Sequence, residues 1–364
     1  DTETTNEDTR VLLDDLAGSL NDTDTSETLT FEIRGVDPDA ELQNTAGAEY
    51  SFTTAGDGTK TYTIPVASIG DVFFDPPANE HGPFNMTIAA IATENGAAGE
   101  PTADDVVEAT APIAVTVAPI VDEPTITGSS TVDEDSSVGI GANIGISAPD
   151  STDGSESITS ITLGSLPEGT VLQYNDVDGT PTTYAAPAGG GSITLTGGTE
   201  TQIRTALTTV TLTPPPHADQ NIDVSIAVTK DDAGTVATTN STHTVAVAAV
   251  ADAPLVSGSA SGSEDAPIAL PITAYLADDD GSETYEYADV TVPAGVTLTH
   301  GTLPNGITAT AIPGGFRYAP GAATTTAQFE AFLATGLTVQ QAADSDIDFN
   351  VSVTVGTIES TLSG

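Results

Sequence analysis

The stretch Val121–Ser137, VDEPTITGSSTVDEDSS, decides how the chain is organised. It places acids and a proline before a short extended run, which ends in a second acid cluster, Asp133–Asp135. The same arrangement returns at residues 251–267, ADAPLVSGSASGSEDAP, and a weaker copy, TNEDT, ends at Thr9. Glu7, Glu134 and Glu264 open the three copies and lie 127 and 130 residues apart. Such a long and regular spacing predicts tandem domains rather than one fold.

Composition restricts the partners of the chain. Its 364 residues include 53 Asp and Glu against six Lys and Arg, which gives a formal net charge of −47. No segment carries a basic patch, so nucleic acid and anionic membranes are poor partners. Insertion into a membrane is not expected either, because no apolar run approaches the roughly 18 residues that span a bilayer. Strong acidity is typical of either a solvating surface or a cation-binding one. The chain has no cysteine, so disulfides cannot stiffen it.

Alternating apolar and polar residues recur in short runs such as Thr28–Ile33, Ser157–Leu163 and Asp346–Val355, separated by Gly, Pro, Asn and Asp. This pattern predicts an all-β chain of Ig-like or cadherin-like sandwiches, arranged end to end. Two segments, Thr199–Leu207 and Thr326–Leu333, have helical spacing instead. The predicted domains are residues 1–121, 122–251 and 252–364. The third is expected to lack its last strand, as if cut from a longer protein.

A second acidic motif recurs in register, at Asp24–Glu27, Asp153–Glu156 and Asp280–Glu283. Closely spaced oxygen ligands without His or Cys suit a hard cation, so the sequence predicts Ca²⁺ sites. The alternative is a set of solvated Asp-Gly turns. Asp219 and Asp344, which we align with each other, either complete such a site or are plain loop acids. The predicted ligands are Glu7, Asp22, Asp24, Glu27, Asp122, Glu123, Glu134, Asp150, Asp153, Glu156, Asp219, Asp252, Glu264, Asp278, Asp280, Glu283 and Asp344.

Catalytic constellations are not convincing in this sequence. The four histidines do not recur in register, and no nucleophile-elbow motif frames a serine. Gly189–Gly191 lacks the lysine of a phosphate-binding loop. With no Trp and 5% aromatic residues, a stacking platform for sugars is not expected either. The chain is therefore predicted not to be an enzyme.

The linkers VDEP at Val121–Pro124 and VADAP at Val250–Pro254 resemble those of bacterial cadherin-like and Ig-like repeats, as do the E-D openings and the D-G-S-E turns. The stretch Phe73–Phe84, FFDPPANEHGPF, and its counterpart Leu212–Asp219 resemble that family's penultimate-strand signature. Such repeats form the extender regions of large RTX-type biofilm adhesins. The resemblance implies an extracellular spacer on a bacterial surface, rigidified by calcium between neighbouring repeats and acting as a monomer. A ligand-binding segment near the adhesive tip, or accessory modules of a polysaccharide-acting enzyme, are the alternatives.

Overall fold

Short antiparallel strands form nearly all of the regular structure of the chain. The computed structural model describes residues 1–21, 26–94, 106–147, 154–263, 265–278, 281–304 and 306–359. Within these residues, buried hydrophobic side chains form three core clusters, one in each predicted segment. Strand β3 (Glu27–Val36) shows the reason, since buried Phe31 and Ile33 alternate with less buried Glu32 and Arg34. Each strand thus has one face in a core, as in a sandwich of two sheets.

The first segment, residues 1–121, pairs a six-stranded sheet, in the order β1-β9-β8-β3-β6-β5, with a three-stranded sheet, β2-β7-β4. A 3₁₀ turn at Val66–Ser68 joins the two. Besides β3, the strands are β1 (Thr2–Asn6), β2 (Val11–Leu12), β4 (Glu41–Gln43), β5 (Phe52–Thr54), β6 (Lys60–Ile64), β7 (Phe73–Asp75), β8 (Gly82–Glu94) and β9 (Val106–Ala118).

The second segment, residues 122–251, has sheets in the orders β11-β20-β19-β14-β17 and β12-β18-β15-β16, with a small pair, β10-β13. Its elements are β10 (Thr125–Thr127), β11 (Ser129–Asp133), β12 (Val138–Gly139), a 3₁₀ turn (Gly141–Asn143), β13 (Gly145–Ser147), β14 (Glu156–Leu166), β15 (Val171–Asn175), β16 (Pro181–Ala185), β17 (Gly191–Thr196), α1 (Glu200–Thr208), β18 (Thr211–Thr213), β19 (Ile222–Asp232) and β20 (Thr235–Ala248).

The third segment, from residue 252, has sheets in the orders β26-β27-β24-β29, β22-β28-β25 and β21-β23. Its elements are β21 (Leu255–Gly258), β22 (Ile268–Ala269), β23 (Ile272–Tyr275), β24 (Glu283–Thr291), β25 (Val296–His300), β26 (Thr308–Ile312), β27 (Gly315–Ala319), α2 (Thr326–Thr335), β28 (Leu337–Gln341) and β29 (Ser352–Glu359).

Both predicted helical segments are helices in the structure. Each begins with a reciprocal capping box, in which an N-cap threonine accepts from the backbone of a glutamine three residues later. The glutamine side chain accepts in turn from the backbone of the N-cap residue, Thr199 in α1 and Thr325 in α2. The capping boxes therefore mark where these short helices begin, and both helices pack apolar residues into the cores.

The prediction of a strand over Asp346–Val355 is wrong in its first half. Residues 345–351 are not in a strand, and β29 begins only at Ser352. In the second segment, the corresponding start of β19, Ile222–Val224, pairs with β20 alone. The described residues of the third segment contain no strand in the place of β20, so the alternating pattern there has no ladder to join.

Candidate metal centres at the two linkers

The opening strand of each of the first two segments brings a glutamate to the end of the same segment's last strand. Strand β1 runs parallel to β9, and β11 runs parallel to β20. The backbone N–H of Glu7 donates to the Ala118 carbonyl at 3.1 Å, and that of Glu134 to the Ala248 carbonyl at 2.9 Å. Both glutamates are about 95% buried, with exposed fractions of 4% and 5%. The parallel ladder therefore carries a buried carboxylate to the start of each linker.

These carboxylates hold the linker backbone from one side. Glu7 Oε1 accepts from the Ile120 N–H, and Glu134 Oε1 accepts from the Val250 N–H. We call residues 118–122 the first linker and residues 248–252 the second linker. Because an ionised carboxylate is a strong acceptor for backbone N–H groups, these bonds fix the course of the chain as it leaves each sandwich.

The next segment holds each linker from the other side. The Asp122 N–H donates to Glu156 Oε1 at 2.9 Å, and the Asp252 N–H donates to Glu283 Oε1 at the same distance. Glu156 and Glu283 begin β14 and β24, and both are buried. Each linker is thus bracketed by one glutamate from the segment before it and one from the segment after it.

At the second linker, three carboxylates converge. Oxygen atoms of Glu134, Asp278 and Glu359 lie within 4.8 Å of one another. Glu134 Oε2 is buried without a hydrogen-bond partner in the described part of the chain. Burial, together with the charges of Glu359 and Asp278, raises the pKa of Glu134 above its ordinary value. A bound cation would compensate like charges at this spacing, and an all-oxygen ligand set is the type that Ca²⁺ prefers.

A second group at this linker contains a histidine. His217 Nδ1 lies 3.4 Å from both Asp135 Oδ2 and Asp252 Oδ2, so it bridges the opening acids of the second segment and the linker. These three ligand atoms also lie within 4.8 Å of one another. Asp252 therefore contacts neighbouring residues through its side chain as well as through its backbone N–H.

Three aspartates in the openings form an identical loop clamp. Asp8, Asp135 and Asp265 have positive φ angles of 55°, 54° and 57°. Their Oδ1 atoms accept from the backbone N–H of residues that also have positive φ, with N···O distances of 3.0–3.1 Å. The partners are Asn79, His217 and Asp344, in that order. The clamp corrects the predicted alignment: His217, not Asp219, is the counterpart of Asp344, and Asp219 is the counterpart of His81.

A buried lysine from the second segment lies beside the first linker. Lys230 on β19 is 1% exposed and forms an ion pair with Glu156. Its Nζ atom donates to the Asp122 carbonyl at 2.9 Å. Asp232, fully buried, pairs with Glu156 across β14 and β19, and His81 Nδ1 approaches its Oδ1 at 3.8 Å.

The structure divides the predicted ligands into four groups. Those at the linkers are Glu7, Asp122, Glu134, Glu156, Asp252, Asp278 and Glu283. Glu123 and Asp344 are exposed, and Glu27 is half-buried opposite Glu94. Asp219 is buried. Asp22, Asp24, Asp150, Asp153, Glu264 and Asp280 lie outside the described residues.

The sequence reasoning missed Glu359, Asp232, Lys230, Asp135 and His217 as site residues. One signal was available for the acids: Asp232 follows Glu156 by 76 residues, and Glu359 follows Glu283 by the same 76. Constant spacing between two acids indicates paired strands of fixed register. A further acidic group, Asp1, Glu3 and Asp14, was also missed, and it has no acidic counterparts in the other segments. Burial, with the charge of Asp14, raises the pKa of Glu3.

An open groove of about 1020 Å³ lies in the third segment. Its walls include Val256, Gly262, Leu270, Phe349 and Val351. It runs beside residues 345–351, where the ladder of β29 has not yet begun. No helix among the described residues combines the length and apolarity that crossing a bilayer requires.

Comparison with solved structures finds Ig and cadherin chains. The N-terminal eight Ig domains of Down Syndrome Cell Adhesion Molecule are similar at a TM-score of 0.25 and 8% identity, over 98% of this chain and 42% of that chain. Drosophila N-cadherin EC1-4 is similar at 0.26 and 13%, over 98% and 73%. An endo-fucoidan hydrolase from glycoside hydrolase family 107 is similar at 0.18 and 13%, over 88% and 38%.

This chain spans less than half of the length of two of these three. No family model matches the sequence, and no curated protein matches it. The predicted all-β sandwich class is confirmed, because the described chain is mostly β and is built from facing sheets. The division into three domains remains a prediction.

Proposed function

We propose that the chain is a calcium-rigidified spacer segment of a large adhesin on a bacterial cell surface, without catalytic activity. In this role, it projects adhesive modules away from the cell for attachment and biofilm formation. The observation that carries the proposal is the group Glu134, Asp278 and Glu359 at the second linker. It joins a carboxylate of the second segment to two of the third, so a bound cation would tie the two segments together.

The chemistry of this group favours calcium over other ions. All its ligand atoms are oxygens, and Ca²⁺ takes six to eight oxygen ligands at about 2.3–2.6 Å. Asp252 and Glu283 lie next to the group through the linker hydrogen bond. When bound, the ion would supply positive charge to the three carboxylates of this group. The chain's own contribution is to hold carboxylates from both segments beside one short linker.

A thermal melt with and without calcium tests the proposal. An ion that binds only the folded state stabilises it by about 2.7 kcal/mol per site at a hundredfold excess over Kd. EDTA should therefore lower the melting temperature by several degrees, and calcium should restore it. Matched additions of NaCl and of MgCl₂ are the controls. Equal melting in EDTA and in calcium, or equal restoration by NaCl, would refute a specific site.

Small-angle scattering tests the spacer role separately. A compact body of 364 residues has a radius of gyration of about 21 Å. Three sandwiches end to end, each about 40 Å long, reach roughly 120 Å, for which the radius of gyration is about 35 Å. We expect the larger value in millimolar calcium. A value near 21 Å would mean side-by-side packing and would rule out a spacer.

A further inference from the structure

Lys230 and Thr357 occupy equivalent places at the two linkers. Lys230 lies opposite Ile158 in the β14–β19 pair, and Thr357 lies opposite Tyr285 in the β24–β29 pair, two residues into β14 and β24 respectively. Both side chains bond the same backbone atom of their linker. Lys230 Nζ donates to the Asp122 carbonyl at 2.9 Å, and Thr357 Oγ1 donates to the Asp252 carbonyl at 2.8 Å.

The acids around these two positions are equivalent as well. Each linker has a glutamate that accepts from the linker aspartate, Glu156 at the first and Glu283 at the second. Each of these glutamates pairs across the sheet with another acid, Asp232 or Glu359. The two sites therefore share a pair of facing carboxylates and differ in the side chain beside it.

At the first linker, the lysine supplies the positive charge. Its ammonium group forms an ion pair with Glu156, and both side chains are at most 2% exposed. His81, contributed by the first segment, approaches Asp232. A buried carboxylate is costly unless a cation compensates it, and here Lys230 compensates Glu156. Both carboxylate oxygens of Asp232 lack a hydrogen-bond partner within the described residues.

No Lys or Arg is available to compensate the carboxylates at the second linker. All six basic side chains of the protein lie in the described residues, and each has its partners elsewhere. Arg317, the single one in the third segment, pairs with Asp289 at 2.7 Å and lies over the Tyr287 ring. The other partners are Gln43 for Arg10, Glu108 for Arg34, Glu49 for Lys60, Glu200 for Arg204 and Glu156 for Lys230. Moreover, Asp219 stands in the second segment where His81 stands in the first.

We propose that the Lys230 ammonium is a built-in cation, which neutralises Glu156 of the Glu156–Asp232 pair so that the first linker needs no metal, whereas the Glu283–Glu359 pair requires a divalent cation. This inference rests on the proposed function, because it assigns the proposed calcium dependence mainly to one of the two linkers. The first linker is then permanently rigid, and the second becomes rigid only when calcium is present. The position occupied by Lys230 or Thr357 determines which behaviour a linker has.

A reciprocal exchange of the two residues tests the inference. Calcium stoichiometry is measured by isothermal titration calorimetry of the whole chain, together with thermal melts in EDTA. Lys230→Thr should add one calcium ion per chain and lower the melting temperature in EDTA. Thr357→Lys should remove one calcium ion and raise the melting temperature in EDTA. Lys60→Thr is the control, because Lys60 also bonds a carbonyl, that of Ala40, and a carboxylate, but at neither linker.

The outcomes separate this inference from the proposed function. If the unaltered chain binds no calcium, the proposed function fails. If it binds calcium but Thr357→Lys leaves the stoichiometry and the EDTA melt unchanged, the built-in cation is refuted. Lys230→Thr that folds only in calcium supports the inference. If that variant does not fold in either condition, Thr357→Lys, at a half-buried position, decides the question.

Discussion

The two linkers follow the same backbone course through different charge environments. In both, a buried glutamate from the preceding segment and one from the following segment accept linker N–H groups. Among the described residues, a buried lysine lies beside the first linker alone, and a group of three acids that includes Glu134 lies beside the second alone. The comparison shows that backbone geometry and charge compensation are separable. The glutamates set the path of the chain, and a neighbouring side chain determines whether a cation must be supplied from solution.

The largest expected difference comes from removing the charge of the equivalent glutamates. Glu156→Gln leaves buried Lys230 without its ion-pair partner, and breaking a buried pair in this way costs about 3 kcal/mol. Glu283→Gln keeps the acceptor for the Asp252 N–H and relieves repulsion with Glu359, so we expect little loss in EDTA. Urea denaturation of both variants in EDTA measures the difference. Equal losses would contradict the comparison.

A smaller effect is expected at the second linker when one charge is removed from the linker itself. Asp252→Asn should weaken calcium binding roughly tenfold, which corresponds to about 1.4 kcal/mol. Pro254→Ala, two residues on, mainly relaxes the backbone and should leave the affinity nearly unchanged. Titration calorimetry of both variants gives the ranking. If Pro254→Ala has the larger effect, Asp252 is not a ligand.

The aspartate clamps should be equally important in the segments, whatever the charge at the linkers. Asp135→Ala loses a hydrogen bond to the His217 N–H and strains a positive φ, so it should cost about 1–2 kcal/mol. Asp8→Ala should cost a similar amount. Asp135→Asn, which can accept the same bond and tolerates positive φ, is the matched control and should be close to neutral. Chemical denaturation in EDTA measures all three.

The smallest effect is a dependence on pH that comes from a histidine of the second segment. Burial lowers the pKa of His243, which bonds Ser130 at 2.9 Å. The unfolded chain therefore binds a proton near pH 6.5 that the folded chain resists, and stability should fall as pH drops through and below that value. In the first segment, Ile113 on β9 occupies the position that corresponds to His243 on β20. Melts between pH 5 and 7.5 should lose this slope in His243→Ile; a retained slope would exclude His243 as its source.

Much of the fold followed from local patterns. Alternation predicted strands such as β3 and β14, and the Thr-x-x-Gln openings of α1 and α2 are complete local signals. The acids at Glu7, Glu134, Glu156 and Glu283 were predicted from their period. Lys230 and Asp232 were not, because their role depends on the register of β19 against β14. The strand prediction for residues 345–351 was wrong for the same reason, because alternation cannot show whether a partner strand exists.

The parallel pairing of opening and closing strands also bears on how the segments respond to tension. Because β1 runs alongside β9 in the same direction, the chain enters the first sandwich at one end and leaves it at the other. Pulling on both sides slides the two strands past each other and loads their hydrogen bonds together, rather than one after another. The pairing of β11 with β20 gives the second segment the same property. In the proposed spacer role, a pull along the chain would therefore load entire ladders at once. Glu7 and Glu134 hold the backbone where it leaves each ladder.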